Sequence, residues 1–444
     1  MKVLVQRITD NPNYARVLEW GKLVSITGSA QIVVQAIGFI SGILVIRLLP
    51  TKEYALYTLA NTMLGTMTVL ADGGISTGVM AEGGKVWQDH KKLGGVLATG
   101  LYLRKKFATL SLIIATPALL YLLRHHGASW LMSILIIISI IPTFFTILSG
   151  TILEVAPKLR QDIASLQKIN VWTNVGRLSF LGLTIFTFPL AFVAIIASAI
   201  PQVWANGRIR KISSHYAKLD QEPDPIVRRE VLLKVKRMLP LSIYYCLSGQ
   251  VTIWLLSIFG STTSIAQVGA LGRFSLMLGV VSTLFNVLIV PRFSRLPNAK
   301  FKLISWYLVA QLMLVIISVL IMGIVVSFPN QILWILGKDY VGLTNEVLLT
   351  IAASCINMVA SSSFALYSHR GLVMRPVLGI SIGVIGIITA IFIIDVSTLH
   401  GALLYNLFIA TFSLIINFSY GLGKLWNVED QTLVNEQMAQ IHCR

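Results

Sequence analysis

The stretch RIRKISSHYAKLDQEPDPIVRREVLLKVKR, residues 208–237, is the only long polar interruption in a chain that otherwise runs apolar from Leu23 to Leu422. It holds nine Lys/Arg against four acids and leaves six long apolar runs on either side. Within it, Asp224 followed by Pro225 reads as an N-cap and first helical residue. They open a basic helix running towards Pro240, and its Ile226, Val227, Val231, Leu232 and Val235 predict a helix lying at the lipid surface. The sequence thus divides into an N-terminal six-helix part with a short cytoplasmic leading segment (1–207), a basic cytoplasmic linker (208–237), a C-terminal six-helix part (238–422) and a cytoplasmic tail (423–444).

Composition sets the class. Of 444 residues 55% are hydrophobic and 12% charged, with a mean hydropathy of +0.77, too few polar groups to cover a water-soluble surface. The expected fold is therefore an all-α polytopic membrane protein. A formal charge of +18 would suggest nucleic acid in a soluble chain, but here it must first be sorted by side of the bilayer, and no nucleic-acid partner is expected. Cys246, Cys355 and Cys443 lie far apart and imply neither a disulfide framework nor a metal cluster. The polar first twenty residues, which include Pro12, do not read as a cleaved signal peptide.

Working outward, twelve runs are long enough to cross a ~30 Å hydrocarbon core. They are 23–48, 54–75, 107–123, 130–153, 171–188 and 190–205, then 238–259, 265–290, 303–326, 347–367, 373–394 and 401–420. With both termini inside, 30 of the 36 Lys/Arg are cytoplasmic, only Arg47, Lys52, Arg124 and Lys338 lie outside, and Arg177 and Arg273 are left within the membrane. Moving one span would scramble this asymmetry, so twelve spans with both ends cytoplasmic are expected. Aligning residues 57–65 with 271–279 shares Met-Leu-Gly and a small/apolar rhythm, which favours two parallel repeats.

The segment IRLLPTKEYALYTLANTMLGTMTVLADGGISTGV (46–79) closely resembles the start of the polysaccharide-transport branch (Wzx-like flippases) of the multidrug/oligosaccharidyl-lipid/polysaccharide exporter superfamily. ILWILGKDYVGLTNEVLLTIAAS (332–354) is similar to that family's segment leading into the tenth span, and Met238–Leu239–Pro240 to the start of its second half. Pro50 stands where the family usually has Gly. The resemblance implies two six-helix bundles with a central cavity, and alternating access that carries a lipid-linked oligosaccharide across a bacterial inner membrane. An undecaprenyl-type glycan lipid, membrane lipids, a polysaccharide polymerase and a chain-length regulator are the partners it implies.

Polar stripes supply the candidate site. In the fifth span Gln167, Asn170, Asn174 and Arg177 are spaced 3, 4, 3, one face of a helix. Arg177 either lines a lumen and meets an anionic substrate or snorkels to the nearby cytoplasmic end. Arg273, deeper in the eighth span, either joins Arg177 in holding a diphosphate or pairs with Asp72 or Glu154. Gln31 and Gln35 lie on a small polar face with Gly28, Gly38 and Gly42, which suits close packing or cavity lining. Asn357 with Thr350, Ser354 and Ser361, and Tyr245 with Ser248 and Thr252, are further stripes suited to sugar hydroxyls or to packing. Asp72 and Glu154 are candidates for ion coupling, or for capping and salt bridging near headgroups.

Pro117, Pro142 and Pro201 offer kinks. The histidines fall in expected loops and tails, with His125 and His126 read as solvated; no metal site, cofactor or catalytic set is expected. No phosphate-binding loop of the Gly-rich, Lys-Ser/Thr type is present. The preferred expectation is a flippase for a polyprenyl-diphosphate-linked oligosaccharide. A cation-coupled drug or metabolite exporter of the same superfamily is the alternative. A membrane polysaccharide polymerase or transferase and a structural scaffold stand behind both.

Overall fold

The computed structural model describes residues 12–427 except 295, 297, 298, 371 and 373, with side chains described from residue 28 onward, those of residues 245, 287 and 291 excepted. Residues 1–11 of the leading segment, the tail beyond 427 and Cys443 lie outside the described residues. What is described is all-helical. The helices are α1 (Pro12–Leu48), α2 (Thr51–Asp72), α3 (Ile75–Lys85), α4 (His90–His125), α5 (Trp130–Leu153), α6 (Val155–Leu159), α7 (Ile163–Thr187), α8 (Ala191–Tyr216), α9 (Pro225–Phe259), α10 (Thr262–Leu288), α11 (Val290–Ser294), α12 (Lys300–Ser327), α13 (Pro329–Leu336), α14 (Thr344–Ser368), α15 (Pro376–Ile393) and α16 (Leu399–Trp426).

Twelve of these helices have eighteen residues or more, one for each expected span. Nine are apolar enough to cross a membrane by length and composition alone. The other three are α2, α7 and α8. In α2 the reason is visible: most of its length, from Tyr54 to Met67, is buried in protein, so its polar groups meet neighbouring helices instead of lipid. The fold is that of a multi-pass membrane protein.

The chain forms two compact units, residues 1–250 and 251–444, and the division falls inside α9. In the first unit α1 packs along α7, α5 along α8, and α2 against α4. In the second, α14 is the central element, packed on α10, α12 and α16. Pro117, Pro142 and Pro201 all lie inside helices, where each removes one backbone donor.

The 208–237 stretch differs from expectation in an informative way. Only 217–224 is non-helical; residues 208–216 continue α8, and 225–237 run without a break into the seventh span. The basic helix docks on protein. Val231 and Val235 are fully buried in a core with Ile75, Val79 and Leu97, while Ile226, Arg229, Leu233 and Arg237 face outward. Two glycines admit it: at Gly73 (φ +48°) and Gly74 (φ +96°) a Cβ would lie 2.8 Å from Leu239 Cδ1 and 2.9 Å from Met238 Cβ. A left-handed turn and a close approach thus both demand glycine there.

Candidate functional site

The first unit contributes the α7 stripe. Arg177 is the fifteenth of the twenty-five residues of α7, and it forms no ion pair among the described residues. Its Nε and the Oε1 of Gln167 are buried without a hydrogen bond among those residues. Asn174 donates to the Asn170 carbonyl at 2.8 Å, so that amide partly serves its own helix. Gln31 and Gln35 lie on α1, the helix packed along α7, with Leu44 at 3.9 Å from the Cβ position of Gly182. The fold therefore brings these amides and Arg177 onto adjacent helices.

The second unit contributes Arg273, the twelfth of twenty-seven residues of α10. Two residues on, Ser275 Oγ is 2.6 Å from Ser354 Oγ of α14, and α14 also carries the exposed Asn357. Thr252 of α9 donates to Asn406 of α16 at 2.5 Å. Tyr245 is helical, but its side chain lies outside the described ones. This unit too has an arginine within a long helix, and the helix packed against it, α14, carries hydroxyls and an amide.

The acids are arranged differently. Among the described residues no Asp or Glu lies in the middle of a long helix. Asp72, at the end of α2, accepts from Ser76 N and Oγ at 3.1 and 2.6 Å and is ion-paired to Arg104. Glu154 pairs with Lys158 at 2.7 Å. Arg104 is the residue that sequence reasoning missed, because RKK at 104–106 reads as a basic loop end. It lies instead inside α4, 4% exposed, and donates to Asp72, Ser76, Thr151 and the Leu148 carbonyl. The signal was the spacing of Leu93, Leu97, Gly100, Arg104, Ala108 and Ser111, all on one buried helix face.

Two further groups matter for the chemistry. Glu82 of α3 is bound by Lys234 at 2.7 Å and Lys85 at 2.8 Å, and these hydrogen bonds, Lys234's first, hold its carboxyl below the usual range. His126, expected to be solvated, is buried at 5% exposure. It is the C-cap of α4, where its backbone N–H donates to the Leu122 carbonyl at 3.1 Å. Among the described residues no group of three His, Cys, Asp or Glu could hold a metal.

No protein-family model matches the sequence, and no curated protein matches it. Its fold, however, is similar to that of solved transporters. An inward-facing multidrug resistance MATE family transporter of the MOP superfamily aligns over 88% of this chain and 94% of its own at 15% identity, with a TM-score of 0.67. A MOP superfamily transporter from Pyrococcus furiosus, described as having a binding pocket of reverse polarity that suggests a different function, aligns over 91% and 95% at 16% identity, TM-score 0.61. A eukaryotic MATE transporter aligns over 92% and 98% at 13% identity, TM-score 0.59. At these identities the likeness is one of fold.

Proposed function

We propose that the chain is an alternating-access flippase that moves a polyprenyl-diphosphate-linked oligosaccharide from the cytoplasmic to the outer leaflet of a bacterial plasma membrane. The observation that favours this reading is the sign of the charge deep in the long helices: each unit has an arginine near the middle of one, whereas among the described residues every acid of a long helix lies within eight residues of its end. An arginine at such a depth costs about 2.5–3.5 kcal/mol by insertion scales, so it is retained for what it meets. A guanidinium is always charged and offers a planar fork of donors, which suits a diphosphate. The side-chain amides of Gln31, Gln35, Asn170 and Asn174 in the first unit and of Asn357 in the second suit sugar hydroxyls. A polymerase and a chain-length regulator would act on the product.

The fold itself favours a second reading, a cation-coupled drug or metabolite exporter, since multidrug transporters share it. Asp72 and Glu154 would then be the coupling acids. Both are already engaged by cations, Arg104 and Lys158, and binding a proton or sodium ion would have to displace these.

Proteoliposomes holding a fluorescent polyprenyl-diphosphate oligosaccharide decide between the two. The expected result is flipping by the wild type that falls at least about tenfold in Arg177→Ala and Arg273→Ala, the scale of one charge-assisted contact. Flipping at the wild-type rate in Arg273→Ala would sink the flippase reading. Proton- or sodium-driven efflux of an organic cation by the wild type, without flipping of the lipid-linked oligosaccharide, would establish the exporter.

A further inference from the structure

The hairpin of α7 and α8 carries a feature that the transport reading leaves unused. Gly176 of α7 lies against Pro201 of α8, 3.3 Å from its Cβ position to Pro201 Cβ, and this contact fixes the antiparallel register. Trp172 then stands across from Trp204, Lys168 across from Arg208, and Ser165 across from Ile212. On each helix a tryptophan and a cation are four residues apart and so share a face. Because the helices run in opposite directions, both cations fall on the same side of both tryptophans.

These residues line a single cavity of about 380 Å³ together with Ile169. Two of its lining residues, Ile169 and Ile212, pack with the buried Leu166, Ala205 and Ile209. Trp172 and Trp204 are 57% and 48% exposed, Lys168 and Arg208 are exposed, and neither cation forms an ion pair among the described residues. The nearby Asp162 is occupied: it caps Ser165 N and accepts from Tyr216 OH at 3.1 Å.

Depth follows from helix rise. From Thr187, at the far end of α7, Trp172 is about 22 Å away and Lys168 about 28 Å, at 1.5 Å per residue. A ~30 Å hydrocarbon core thus puts the tryptophans just inside the boundary and the cations at headgroup level.

We infer that this cavity binds the headgroup of an anionic phospholipid in the leaflet facing the basic connector. Lys168 and Arg208 hold the phosphate, Ser165 lies one turn beyond them, and the two indoles flank the glycerol and upper acyl chain. The site is separate from the Arg177 and Arg273 stripes, so its fate does not depend on which substrate those take.

Native mass spectrometry of the full chain, released from micelles containing phosphatidylglycerol or phosphatidylcholine, tests this. The wild type is expected to retain phosphatidylglycerol over phosphatidylcholine, and Lys168→Gln/Arg208→Gln to lower that retention at least about fivefold. Lys168→Arg/Arg208→Lys should keep it, as should the charge-matched Lys91→Gln/Lys92→Gln at the exposed start of α4. An equal loss in both glutamine pairs would show only general attraction and overturn the site. Displacement of the lipid by inorganic phosphate at millimolar concentration would instead make it a free-anion site, which also overturns the proposal.

Discussion

Arg104, buried inside α4, is ion-paired to Asp72, the last residue of α2, and the same guanidinium donates to Thr151 and to the Leu148 carbonyl of α5. One side chain thereby ties the ends of α2 and α5 to the middle of α4. Removing Asp72 strands the Arg104 guanidinium, which is 4% exposed, at a cost of about 3–5 kcal/mol for an uncompensated buried charge, whereas Asp72, 30% exposed, loses less when Arg104 is removed. Arg104→Leu and Asp72→Leu are each expected to lower the thermal unfolding temperature of the purified protein markedly. The double variant should lose much less than the sum of the two. Single variants as stable as the wild type would show that the pair is not structural.

The docking of the connector gives a second expectation. Lys218 N donates to the His90 carbonyl at 2.9 Å, and a Cβ on Gly94 would fall on the Lys218 carbonyl. Replacing a helical glycine by alanine normally gains about 1 kcal/mol. At Gly94 the obstacle is backbone that cannot rotate away, so Gly94→Ala should destabilise by about 1–3 kcal/mol, as overpacking does. Trypsin cleavage after Lys218 should rise with it. At the adjacent Gly95 the nearest atom, the Glu222 carbonyl oxygen, is 3.8 Å away, and Gly95→Ala should be neutral or stabilising.

Much of this was readable before any coordinates. Apolar run lengths and the sidedness of Lys/Arg fix the number of long helices, because the bilayer imposes one length and translocation one charge bias. The connector was legible as basic and helical. Its docking was not, since whether Val231 meets lipid or protein depends on Gly73, Gly74 and Gly78, which lie some 150 residues away in sequence. Arg104 was obscured by Lys105 and Lys106, whose side chains are exposed on the same turn; only the period of the buried face separates it from them. Among the candidate site residues, Arg177 and Arg273 stand out by depth alone, whereas an amide such as Asn174 reads the same whether it lines a lumen or bonds to its own helix.

Glu82 sets a pH dependence. Its carboxyl is held below the ordinary value of 4.5 by Lys234 and Lys85, so the stabilisation is present above the unfolded glutamate's pKa. It is lost as pH falls through the lowered folded value. Hydrogen exchange of residues 225–237, corrected for intrinsic rates, should therefore lose protection below about pH 4.5. The change should be roughly two- to fivefold, because the lysines are partly solvated. Glu82→Gln should show that looser state at neutral pH, and an unchanged profile in this variant would mean that the apolar contacts of Val231 and Val235 hold the connector alone.

Gln311 of α12 reverses the usual expectation for a core substitution. It is 4% exposed, and neither its Oε1 nor its Nε2 has a hydrogen bond among the described residues. Its neighbours Tyr307, Ala310 and Leu314 belong to the apolar core of the second unit. Burying an amide without partners costs about 1–3 kcal/mol, whereas leucine would fill much of the same volume with nothing to satisfy. Gln311→Leu should accordingly raise thermal stability by about 1–2 kcal/mol. Gln311→Ala should gain less or lose, because it exchanges the unsatisfied amide for a cavity. If Gln311→Leu is instead less stable than the wild type, the amide has a partner in the folded protein. If it is more stable but transports more slowly, the amide is kept for the transport cycle at the expense of stability.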